Sequence, residues 1–151
     1  MRTALPARLA TGFAAAFISV WTFSMGTFVV FQAAGAPLPF PPWSMMPVPP
    51  LGVPQIVSSA FWGGLWGVLY ALLEPRLTAR FSWWLGGLVY GLLPLLVAWF
   101  VVLPLKGMPV AGGFMPAGVL LGLASHTLWG LGTALFFRLG RVLFVGRQPA
   151  I

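Results

Sequence analysis

Few side chains in this sequence can do chemistry, and the first is its single histidine, His126. It stands between Ser125 and Thr127 in the middle of a long apolar run. At about 100° per residue, Gly118, Gly122, Ser125, His126, Trp129 and Thr133 fall on one helical face, so the imidazole is expected to point into a bundle or an assembly interface. An ionisable group at that depth can relay a proton, ligate a haem or metal, or form a neutral interhelical hydrogen bond. No carboxylate lies near it in sequence, which makes the hydrogen bond the plainer expectation.

The one acid, Glu74, closes another apolar run, with Ser59, Gly63, Gly67 and Tyr70 on its helical face. Its simplest use is an ion pair, either with Arg138 or Arg141 across the bundle or with Arg76 or Arg80 in its own loop. It lies roughly 18 Å along a helix axis from the depth of His126, too far for a catalytic pair. Four methionines, Met45, Met46, Met108 and Met115, fall in or beside loops. Thioethers are soft ligands suited to Cu(I), so together with His126 they are the candidates for a metal path. No M-x-x-M spacing recurs, and the filling of irregular gaps explains methionine there more simply. The expectation is no metal site and no cofactor. Cysteine is absent, and no nucleophilic triad, phosphate loop or carboxylate pair is present, so the chain reads as non-catalytic.

Composition defines the medium in which these residues sit. Of 151 residues, 60% are hydrophobic and 6% charged, and the mean hydropathy is +0.97. A soluble domain carries about 25% charge; eight bases and one acid cannot wet a globule of this size. The bases are scattered singly between apolar runs instead of clustering on one wettable face, which excludes a nucleic-acid site. The partner is a lipid bilayer. Four runs, about 10–34, 56–73, 83–103 and 117–137, are long enough to cross a hydrocarbon core of about 30 Å as helices, and only helices or closed barrels satisfy their backbone there. The predicted fold is all-α, a single transmembrane domain of four helices. Arg2, Arg8, Arg76, Arg80, Arg138, Arg141 and Arg147 flank one side of these spans and only Lys106 the other, which orients both termini toward the cytoplasm. Trp43, Trp62, Trp83, Trp84 and Trp99 fall near expected span ends as interfacial anchors. The first span exceeds 20 residues, longer than the ~7–15 of a cleavable leader, so it is expected to be retained.

The two halves resemble each other. Phe28–Pro37 matches Phe100–Pro109 at five of ten positions with an offset of 72, and Trp62-Gly63 matches Trp129-Gly130 with an offset of 67. The reading is a duplicated helical hairpin, a parallel repeat about an axis along the membrane normal. The Pro-rich loop 37–54 carries no charge and several large apolar residues. It is expected to be neither helix nor strand and to fold back as a cap over the outer end. Pro94 should kink the third span. Three spans carry G-x-x-x-G pairs, Gly63/Gly67, Gly87/Gly91 and Gly118/Gly122, which permit close backbone approach in lipid.

The stretches PLGVPQIVSSAFWGGLWGVLY from Pro50 and AWFVVLPLKGMPVAGG from Ala98 resemble a group of small, uncharacterised bacterial inner-membrane proteins. The resemblance implies a four-helix bacterial membrane protein and supplies no activity. On function, the leading expectation is a non-catalytic subunit or scaffold that packs through its glycine faces in a homo-oligomer or larger membrane complex. The alternative is a small permease or channel for a metal ion or weakly polar solute that uses His126.

Overall fold

The structure, a computed structural model, describes residues 4–145; Arg2 and Arg147, counted above for orientation, lie outside the described residues. Four helices, each long and apolar enough to cross a membrane, account for most of the chain: α1 Leu5–Ala33, α2 Gln55–Thr78, α3 Trp83–Leu105 and α4 Pro116–Val145. Pro6 and Pro116 occupy first turns, where a missing N–H costs no intrahelical bond. The helices outrun the expected spans at one end in particular. Helix α1 begins before Arg8, α2 continues through Glu74 to Thr78, and α4 continues through Arg138 and Arg141. Apolarity marks where hydrocarbon ends, whereas the backbone hydrogen bonds of a helix continue into the headgroup layer while long charged side chains reach for water.

The helices meet where side chains are smallest. Gly12 of α1 lies against the Gly67 carbonyl of α2, and a Cβ on either glycine would overlap the other backbone. Gly87 and Gly91 of α3 lie against Gly130 and the His126 carbonyl of α4 in the same way. Helix α1 also packs along α4, so the order around the bundle is α2, α1, α4, α3. Helices α2 and α3 close the ring more loosely. They are joined by the short connection 79–82 and meet at Leu77 against Gly86 and at Trp66 against Tyr90. The five described arginines all lie at this end, called inner after the orientation expected from the sequence, and Lys106 lies at the other, called outer.

Two helices are irregular in their outer halves. Helix α1 widens to i→i+5 hydrogen bonding over Val20–Ser24, and α3 does so over Ala98–Val102, just past Pro94. The missing donor of Pro94 frees the carbonyl one turn back, at Tyr90, whereas the missing donor of Pro104 falls opposite Phe100, inside the widened segment. The loop 37–54 is not wholly without strand. Two residues, β1 Pro47–Val48, pair antiparallel with β2 Val53–Pro54, and the backbone N–H groups of Gly52 and Gln55 supply further bonds, to the Val48 and Met46 carbonyls. Part of the loop does fold back: Leu38 and Phe40 pack on the core, while Met45, Met46 and Leu51 stay exposed.

Candidate functional site

Helix α4 supplies the central polar line of the bundle. The Trp129 carbonyl accepts hydrogen bonds from Ser19 Oγ of α1 at 2.7 Å and from Thr133 Oγ1 at 2.9 Å, and the Trp129 indole donates to the Ala16 carbonyl at 3.1 Å. These bonds satisfy buried groups that would otherwise cost free energy in lipid, and they fix the rotation of α4 about its axis. That rotation turns His126 inward.

His126 Nδ1 lies 2.9 Å from the Gly122 carbonyl one turn back, with Ser125 Oγ at 3.3 Å. A carbonyl can only accept, so in the neutral ring Nδ1 carries the proton and Nε2 bears the lone pair. Nε2 has no protein partner among the described residues, yet it is not sealed off from space. His126 is among the residues that line a cavity of about 260 Å³ bounded by all four helices and the loop. Aromatic and apolar groups dominate the wall, with Trp62 and Trp66 from α2, Trp129 from α4, Phe28 and Met25 from α1, and Phe40 from the loop. The polar groups are few: Ser24, Ser59, Ser125 and His126. Pro94 and Ala98 bring the widened segment of α3 to the same wall.

A second cavity of about 560 Å³ opens at the inner end between α2, α3 and α4, lined by Tyr70, Glu74, Trp83, Phe137, Arg138 and Arg141 among others. Its charged rim is ordered. Glu74 Oε2 accepts from Arg8 Nη2 at 2.7 Å and Oε1 accepts from Arg141 Nη1 at 3.1 Å. Arg8 Nε also donates to the Ala71 carbonyl at 2.8 Å, and both guanidinium groups stand about 6 Å from the Phe137 ring centre. One acid thus ties together three helices. Arg138 lies over Trp83 instead. Of the sequence-based partners for Glu74, Arg141 is present. Arg8 was not among them, because nothing local brings residue 8 beside residue 74; the Gly12–Gly67 approach does so.

An aromatic layer separates the two cavities. Tyr70 and Tyr90 meet edge to face at 5.1 Å between ring centres, Tyr70 meets Phe137 at 5.5 Å, and Tyr90 lies 6.1 Å from Trp129. The Tyr90 hydroxyl donates to the Trp66 carbonyl of α2 at 2.5 Å. Tyr90 was not singled out from the sequence; the signal available was that it is one of only two tyrosines, both placed within apolar spans.

The remaining sequence candidates separate. Gly63, Gly67, Gly87, Gly91 and Gly122 all face other parts of this chain, and only Gly118 of the six has open space at its Cβ position. Met45, Met46, Met108 and Met115 are exposed in the outer loops and do not line the His126 cavity; the methionine that does is Met25. Among the described residues, no three His, Cys, Asp or Glu side chains come together as a metal-ligand group. No family model matches the chain, and neither a curated protein nor a solved structure matches it.

Proposed function

We propose that this chain is a non-catalytic, multi-pass protein of the bacterial inner membrane, both termini cytoplasmic, that holds a small, weakly polar solute in its outer cavity and passes it toward the inner one. The observation that carries this reading is His126 on the wall of an aromatic-lined space of about 260 Å³, its Nε2 without a hydrogen-bond partner among the described residues. A mostly apolar pocket with a few convergent polar groups is the usual form of a small-molecule site, and a bare imidazole nitrogen supplies the acceptor. The paired hairpins α1–α2 and α3–α4 are in this reading two copies of one ancestral unit, with the solute between them.

The test is flux. Proteoliposomes would be challenged with a panel of small neutral solutes and of monovalent and divalent cations, followed by light scattering. The reading expects at least one solute that enters faster than into protein-free vesicles, with the advantage lost in His126→Ala. No difference across the panel, or a folded His126→Ala protein with unchanged flux, would sink it.

A second reading is a subunit or scaffold in a homo-oligomer or larger membrane complex. Gly118, open at the outer end of α4, favours it as a remaining small-residue contact. The other five glycines are consumed within the chain, which leaves less small-residue surface for a partner. Native mass spectrometry of protein extracted gently from its own membrane separates the two readings: other polypeptides at fixed stoichiometry support a subunit, and a lone chain supports the carrier.

A further inference from the structure

The outer cavity is shut toward the loop. Phe40 forms part of its wall with its ring centre 5.2 Å from that of Phe28. Its neighbour Trp43 is tied to α1 twice, by the indole N–H to the Trp21 carbonyl at 3.0 Å and by the backbone N–H to Met25 Sδ at 3.3 Å. The opposite wall is thin. Trp62 and Val102 line the cavity although they are 61% and 38% exposed, and they belong to α2 and α3. These two helices are the loosely joined pair of the bundle, meeting at Leu77 with Gly86 near the inner end and at Trp66 with Tyr90 near mid-helix. Trp62 sits seven residues into α2, about 10 Å below its outer end, deeper than the interfacial position expected of it from the sequence and at a depth where hydrocarbon would surround the helix. The mouth therefore faces the side of the bundle.

We propose that the occupant is a membrane-dissolved amphiphile with an apolar body and one hydroxyl, which enters sideways between α2 and α3 from the outer half of the bilayer. This rests on the reading of the cavity as a solute site. An ion would give up its water shell to walls with few polar groups. A carboxylate would meet no Lys or Arg, since none lines the cavity. A pure hydrocarbon would leave the Nε2 lone pair unanswered, whereas a hydroxyl donates to it directly. The volume, about 260 Å³, is below that of pockets for drug-sized ligands. The hydroxyl end is thus enclosed while a longer tail stays in lipid through the mouth.

The experiment uses the full chain in lipid vesicles and a long-chain primary alcohol carrying a diazirine near its hydroxyl. After photolysis, the labelled residues are mapped by mass spectrometry in the presence of excess unlabelled alcohol or its methyl ether. Label is expected on cavity residues such as Trp62, Val97 and Ala98. The alcohol should compete roughly three- to tenfold better than the ether, the difference of one hydrogen bond. In His126→Ala that preference should vanish; the alcohol-to-ether comparison on the unaltered protein stands whether or not this variant folds. Label confined to lipid-facing positions such as Leu72 and Val101, or equal competition by the ether, overturns the proposal. Phenol added from water provides the control, read on the ring nitrogens of His126. If phenol perturbs them while the alcohol leaves the cavity unlabelled, lateral entry falls and the solute site stands. If neither reaches His126, both fall.

Discussion

The bond from His126 to the Gly122 carbonyl commits the ring to one tautomer, and this is directly measurable. The chain has a single histidine, so protein labelled with ring-15N histidine and free of any histidine tag reports on this residue alone. A protonated Nδ1 and a bare Nε2 are expected at neutral pH; the reverse assignment would remove the acceptor from the cavity. Two tryptophans offer a matched comparison at the same scale. The Trp129 indole is bonded to the Ala16 carbonyl, whereas the buried Trp21 indole N–H has no partner. Trp129→Phe and Trp21→Phe delete the same atoms, so the first should cost about 1 kcal/mol more in unfolding free energy, the net worth of one hydrogen bond. At the inner rim, Arg8 is less exposed than Arg141 and makes an extra bond to Ala71. Arg8→Ala should therefore lower thermal stability more than Arg141→Ala, by roughly 1–3 kcal/mol against less than about 1. Equal losses would mean that the cluster adds little beyond surface charge.

At the level of the helices, close approach is concentrated at a few glycines and a mutation reads each one. Gly91→Ala would drive a methyl into the His126 carbonyl, with backbone on both sides and nothing flexible to move. A loss of about 1–3 kcal/mol is expected, the range for overpacking a tight contact, with displaced His126 ring signals. Gly118→Ala meets no atom within 4 Å, and alanine is the better helix former by about 1 kcal/mol. It should be neutral or stabilising in the isolated chain. Thermal unfolding of both variants in detergent checks the pair, and similar losses would contradict the packing. The G-x-x-x-G spacing was readable in the sequence, as was a small-residue face on α4. Which helix each glycine touches was not, because spacing along one helix carries no information about its neighbour. The two-residue ladder in the loop was missed for a different reason: proline content argues against strand, and the bonds come from the residues that are not proline, Gly52 and Gln55 among them.

For the whole molecule, the uneven distribution of arginine predicts the orientation. Alkaline phosphatase fused within 37–54 should be active in a bacterial host, and fused within 79–82 inactive; the opposite pattern would invert the topology. Apolar run length alone indicated four helices, each long and apolar enough to cross a membrane, as the structure has them. The presence of one intramembrane histidine and one acid at a helix end was equally plain, and so was the separation in depth that forbids them to act together. Tertiary structure alone decided the rest. It put His126 on a cavity wall, brought Arg8 to Glu74, set Tyr90 between two spaces, and left α2 and α3 the most loosely joined neighbours of the bundle. The physical reason is that lipid gives apolar side chains no preference for one neighbour over another. Helix order and rotation then depend on a few close backbone contacts and buried hydrogen bonds, and those join residues as far apart in sequence as Ser19 and Trp129.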